Sequence, residues 1–165
     1  MVMSEPWINI VWIGIGATVT MDIWAVIQKM LGMPVLNYAL VGRWIGHCCR
    51  GQLMHQNIRQ AAIIPGECVS GWVIHYATGV VFAILLIEIQ GVAWLSAPTL
   101  LPAVLVGVIT VLFPFLVMQP GMGAGIAATR TATPWKNRLR SVVTHGVFGA
   151  GLYFSAVLIV WINHP

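Results

Sequence analysis

A single carboxylate stands in the run Gly16-Ala17-Thr18-Val19-Thr20-Met21-Asp22-Ile23-Trp24-Ala25-Val26-Ile27, and nothing else between Trp7 and Gln28 is charged. A charge inside a bilayer costs about 2.5–3.5 kcal/mol on insertion scales, so it faces a partner, a water-filled cavity or a ligand. Asp22 is therefore the first candidate for proton, ion or ligand exchange. Two histidines follow. Gly71-x-x-x-His75-x-x-x-Gly79 is matched by Ser141-x-x-x-His145-x-x-x-Gly149. At helical spacing each set forms one stripe with small residues above and below an imidazole. Such stripes let helices approach closely in lipid, so both imidazoles are expected to point into protein, in two related helical hairpins. His75 and His145 are also the weak candidates for a metal, although two nitrogens fall short of a four-coordinate shell.

Depth arithmetic then sorts the possible partners. At 1.5 Å per residue, both histidines lie roughly 6–8 Å from the cytoplasmic ends of their helices and Asp22 about 13 Å. Two polar layers are expected. Asp22, Thr18, Thr78, Thr110 and Tyr153 form one, with Thr110 or Tyr153 hydrogen-bonding Asp22. His75, His145, Gln119 and Met118 form the other.

Three further patterns carry less. From Asn37 to Cys49, apolar Leu40, Val41, Trp44, Ile45 and Cys48 alternate with Arg43, His47 and Arg50 at helical period, which suits a helix lying in the membrane interface. Arg43, Trp44, His47 and Arg50 are accordingly the candidates for lipid headgroups. The alternating Gly121, Gly123 and Gly125 lack the strand, helix and Gly-Lys-Ser/Thr context of a phosphate loop and read as a close-packing segment or hinge. Cys48, Cys49 and Cys68 are odd in number and lack Cys-x-x-Cys spacing, which argues against structural disulfides and against a metal. No nucleophile elbow, His-Glu-x-x-His or carboxylate pair appears, so no catalytic residue and no cofactor is assigned.

The elements that must position these residues follow from composition. Of 165 residues, 59% are hydrophobic and 7% charged, against about a quarter charged in a soluble domain. Apolar runs at residues 7–31, 70–89, 100–119 and 141–162 each reach the roughly 20 residues that cross a core of about 30 Å. The fold class is an all-α integral membrane protein: one membrane domain over residues 1–165 with four transmembrane helices and an interfacial helix in loop 34–67. The first run has no basic leader and no small-x-small cleavage site, and is expected to stay as an anchor. All eight Lys and Arg fall at Lys29, Arg43, Arg50 and Arg59 or at Arg130, Lys136, Arg138 and Arg140. Basic loops stay cytoplasmic, so both termini are expected outside. The net charge of +4 then faces anionic lipid and not nucleic acid.

Several motifs resemble the bacterial domain-of-unknown-function family 2938. They are Leu40-Val41-Gly42-Arg43-Trp44-Ile45-Gly46-His47, Pro65-Gly66-Glu67, Gly71-Trp72-Val73-Ile74-His75-Tyr76, Pro98-Thr99-Leu100-Leu101-Pro102-Ala103, Met118-Gln119-Pro120-Gly121-Met122-Gly123-Ala124-Gly125, and Arg138-Leu139-Arg140-Ser141 leading to Thr144-His145. The resemblance implies a small multi-pass protein of the bacterial inner membrane and carries no assigned activity or site.

The expected function is binding of a small ligand, ion or proton in the cytoplasmic half of the bundle, by an accessory subunit or minimal transporter. Membrane lipids are the expected partners, with a homo-oligomer or a larger membrane complex as the assembly. An enzyme acting on a lipid or quinone is the alternative, with Arg43, His47 and Arg50 at the headgroup and His75 or His145 as acid or base. A purely structural scaffold is the third reading. The orientation is directly testable: a cysteine placed between Gln90 and Thr99 should react with an impermeant reagent from outside, whereas Cys48 and Cys49 should not. Reversed labelling would invert the topology.

Overall fold

In lipid there is no water to satisfy backbone amides and carbonyls, so each long apolar run must close its hydrogen bonds within itself as a helix. The computed structural model describes residues 6–163, and no strand occurs among them. In chain order the helices are α1 Pro6–Met30, α2 Tyr38–Cys48, α3 Glu67–Gln90, α4 Leu100–Ile109, the single turn α5 Gln119–Gly121, and α6 Pro134–Asn163. Four segments are long and apolar enough to cross a membrane: Pro6–Met30, Glu67–Gln90, Leu100–Gly121 and Pro134–Asn163. The terminal residues 1–5 and 164–165, on which the expected placement of the termini partly rests, lie outside the described residues.

The helix ends have local causes. α1 starts on Pro6, whose missing N–H costs nothing in a first turn. It stops at Gly32, which adopts φ +72°, with Gly32 N–H donating to Lys29 O and Met33 N–H to Gln28 O. This pair of bonds is a Schellman cap. α3 begins at Glu67, three residues before the apolar run, because the Glu67 carboxylate folds back to accept the Ile64 N–H at 3.2 Å. α6 begins at Pro134 and not at 141, since its first turns carry Lys136, Arg138 and Arg140 and escape a reading based on hydropathy.

The third span differs most from a continuous helix. α4 ends at Ile109, and a π-helical stretch over Pro114–Met118 precedes α5. Pro114 has no N–H to give the Thr110 carbonyl, which accounts for the interruption one turn before it. The chain resumes with wider π turns, where the Gln119 N–H donates to Pro114 O.

The chain packs as two compact units, residues 1–34, 76–110 and 143–165 in the first, residues 35–75 and 111–142 in the second. In the first unit, backbones touch at glycines. A Cβ on Gly107 of α4 would lie 2.5 Å from the Cα of Gly149 on α6, and one on Gly14 of α1 would lie 2.6 Å from the Cα of Val80 on α3. Gly151 likewise brings α6 close to α1, where a Cβ would lie 2.9 Å from the Cα of Ala17. Around these crossings Ile13, Ala17, Leu86, Ala103, Phe148 and Leu152 form the buried core. In the second unit, α2 is covered by the loop that follows it. Leu40, Trp44 and Ile58 form a small core, and Gly42 and Gly71 let α2 meet the start of α3 backbone to backbone.

A paired substitution separates close approach from helix propensity. Alanine is the better helix former by about 1 kcal/mol. Gly146→Ala, whose methyl meets only Val108 Cγ2 at 3.7 Å, should therefore be neutral or stabilising in thermal unfolding. Gly107→Ala should instead destabilise by about 1–3 kcal/mol, since backbone must move to admit it. Equal effects would show that the crossing is not a tight contact.

Candidate functional site

Asp22 lies on α1 and Tyr76 on α3, both in the first unit, and the Tyr76 hydroxyl donates to Asp22 Oδ2 at 2.9 Å. Both side chains are half-buried. Tyr76 takes the place expected for Thr110 or Tyr153. The register explains the difference. Counted from its observed start at Glu67, Tyr76 lies roughly 13 Å along α3, and Asp22 lies roughly 12 Å from the end of α1 at Met30. A helix start at residue 70 puts Tyr76 only about 9 Å along α3, too shallow to meet Asp22. The threonines on α1 are absorbed locally: Thr18 donates to Gly14 O at 2.8 Å and Thr20 to Gly16 O at 2.9 Å. Thr18 is also the side chain against which Gly79 of α3 closes. Thr78 is half-buried, and Tyr153 packs at the edge of the core with its ring against Phe154 at 5.3 Å.

Thr110 has a different partner from the one expected. Its hydroxyl donates to Gly107 O at 2.6 Å and lies 2.8 Å from His145 Nδ1, with all three groups buried. A threonine hydroxyl has one hydrogen. Since that hydrogen goes to Gly107 O, His145 must carry a proton on Nδ1 and donate it to Thr110 Oγ1. His145 is held in that tautomer where the third span breaks.

The two histidines of the matched pattern occupy unlike surroundings, each within its own unit. His75 is half-buried and stacks on Tyr38 at 4.1 Å between ring centres, with Trp72 edge-on at 5.9 Å. Gln119 is half-buried, and its Oε1 is enclosed without a hydrogen-bond partner. Met118 packs against the small core of the second unit. Among the described residues, no three of His, Cys, Asp and Glu gather as a metal shell.

The expected headgroup face of α2 is corrected by burial. Arg43 is 9% exposed and its guanidinium grips Glu67 with two bonds of 2.8 Å, Nε to Oε2 and Nη2 to Oε1. Nη1 reaches the carbonyls of Ile58, Arg59 and Ala61 at 3.3–3.4 Å. Hydrogen bonding to Glu67 pushes the guanidinium further above its already high pKa, so it stays charged. Trp44 is buried and donates its indole N–H to Leu53 O at 2.9 Å. His47 is buried, donates from Nε2 to Ala62 O at 3.0 Å and meets His55 edge-on. Only Arg50 of the four is exposed. The same helical period that suits a lipid surface suits a helix wrapped by its own loop, which here runs back over the polar side. Beside it, burial pushes the Cys48 thiol above its ordinary value and Cys49 adds to the shift, which disfavours a reactive thiolate.

The domain-of-unknown-function family 2938, described as a protein of unknown function (DUF2938), matches residues 11–159, and the chain belongs to it. No curated protein and no solved structure matches the chain.

The Arg43 network yields a test of its role as a latch. Arg43→Lys keeps the charge but loses the planar fork that holds carboxylate and carbonyls together. Its thermal midpoint should fall below wild type, and protease should cut the 50–66 loop faster. Arg50→Lys should change neither. Unchanged loop cleavage in Arg43→Lys would show that the fork holds nothing.

Proposed function

We propose that this chain is a multi-pass protein of the bacterial inner membrane in which Asp22 exchanges a proton or small cation, as an accessory subunit or minimal transporter. The observation that carries the reading is the 2.9 Å bond from the Tyr76 hydroxyl to Asp22 Oδ2, made between two membrane-spanning helices. A phenol stabilises a carboxylate without neutralising it. It lets the carboxylate take up a proton or a cation, whereas a guanidinium at the same place would lock it ionised. Tyr76 is a positioning residue in this scheme, and Asp22 is the exchanging one.

His145 supports the reading from a second place. Its Nδ1 proton is committed to Thr110 Oγ1, beside a break in a membrane helix, and interrupted helices are where membrane proteins set ion and substrate sites. The rival enzyme reading keeps only Arg50 at its headgroup rim, because Arg43 and His47 are spent on Glu67 and on loop carbonyls.

The test uses purified protein in liposomes with an imposed pH gradient. Wild type should carry protons or exchange them for sodium or potassium. Asp22→Asn, which keeps the shape and still accepts from Tyr76, should assemble normally and lose that flux. Tyr76→Phe should retain flux with a displaced pH midpoint and lose only about 0.6–2 kcal/mol of stability. Flux that survives in Asp22→Asn would sink the proposal.

A further inference from the structure

The burial of Arg43, Trp44 and His47 leaves open which surface of the second unit meets lipid headgroups, and the first turns of α6 answer it. Two internal bonds fix their rotation. Arg138 donates from Nε to Ala127 O at 2.8 Å, and Asn137 donates from Nδ2 to Thr131 Oγ1 at 2.8 Å. The Ala127 carbonyl is presented by a tight loop in which Ala127 and Ala128 both take left-handed conformations, at φ 47° and 61°. With Asn137 and Arg138 turned onto this loop, the opposite side of the helix faces out. Trp135 is 71% exposed and Leu139 53%, one helical turn apart, and beside them at the same spacing stand an exposed Lys136 and a half-buried Arg140.

Among the described residues, the Lys136 and Arg140 side chains make no hydrogen bond and no ion pair. No Asp or Glu occurs anywhere after Glu88, so nothing in the second half of the chain can neutralise them. Two unpaired cations about 6 Å apart at their Cβ atoms, flanked along the helix by an indole and a leucine, match the phosphate and glycerol of a lipid headgroup at the membrane interface. We propose that Lys136, Arg140, Trp135 and Leu139 form a binding site for one anionic glycerophospholipid. The cations take the headgroup phosphate, Leu139, the nearer of the apolar pair to the span, lies against the glycerol, and the Trp135 indole lies at headgroup level. A free phosphate would satisfy the cations but leave the apolar pair without a purpose.

The test is native mass spectrometry and lipid exchange on the full chain in detergent, with phosphatidylglycerol and phosphatidylcholine as probes. Wild type should retain phosphatidylglycerol over phosphatidylcholine. Each removed cation should weaken phosphatidylglycerol binding about fivefold, so Lys136→Gln/Arg140→Gln should lose roughly 25-fold and leave phosphatidylcholine unchanged. The two single variants guard against misfolding, since each should show its own partial loss at an unaltered thermal midpoint. Trp135→Ala/Leu139→Ala should weaken phosphatidylglycerol binding with the cations intact. Equal retention of both lipids by wild type, undiminished phosphatidylglycerol in the double glutamine variant, or displacement by equimolar inorganic phosphate would overturn the site.

Discussion

Four helices in lipid gain little from setting leucine against leucine, because the acyl chains they leave are just as apolar. What holds them is dispersion between backbones that come close enough to touch, and that requires residues with almost no side chain. Gly107 against Gly149, Gly14 against Val80 and Gly151 against Ala17 supply those contacts in the first unit. Each also fixes a helix rotation. Gly79 closes on Thr18, and from there Tyr76 and Asp22, three and four residues along their helices, are left facing one another. The polar pair is thus a consequence of glycine placement, and it holds its geometry only while the backbones stay in contact.

The third span shows how a defect is put to use. Proline costs a helix a hydrogen bond and crowds the preceding turn, about 3 kcal/mol in an interior. Here the site of the loss is Thr110, whose hydroxyl turns back to Gly107 O and at the same time accepts from His145. One small side chain satisfies the end of α4 and selects the tautomer of a buried imidazole. The π-helical turns beyond it, Pro114–Met118, carry the chain on to the loop that meets His55 and Ile58 through backbone bonds of 2.9 and 3.1 Å.

Hydropathy made the spans legible, because the cost of exposing peptide groups to lipid acts on every residue of a long run. It could not give their polar ends. The start of α3 depends on one carboxylate folding back to Ile64 N, and the start of α6 on a proline followed by charges, and neither is an apolar signal. Offsets of three residues on α3 and seven on α6 are enough to give Asp22 the wrong partner and to pair Thr110 with Asp22 when its hydroxyl serves His145. Tyr76 escapes the sequence pattern for another reason: beside the histidine stripe it reads as one more aromatic, and its hydroxyl matters only when the neighbouring helix is placed. The surroundings of α2 are not legible in its period, because amphipathic period reports that a helix has two unlike sides and not what covers each.

The few acids of this chain are distributed with economy. After the amino-terminal Glu5 come only Asp22, Glu67 and Glu88, against eight lysines and arginines. Glu67 stands at the first residue of a membrane helix, where the helix dipole already favours a carboxylate, and it accepts both arms of Arg43. That arrangement is fixed, since a forked guanidinium and three carbonyls leave neither group free to change state. Asp22 receives a phenol, a donor that can rotate away or reverse its role as the carboxylate gains a proton. Two acids on two membrane helices thus receive hydrogen bonds of different kinds, from a charged fork at Glu67 and from a neutral phenol at Asp22. A charged fork holds its carboxylate ionised, whereas a phenol can stay hydrogen-bonded to a carboxyl group in either protonation state.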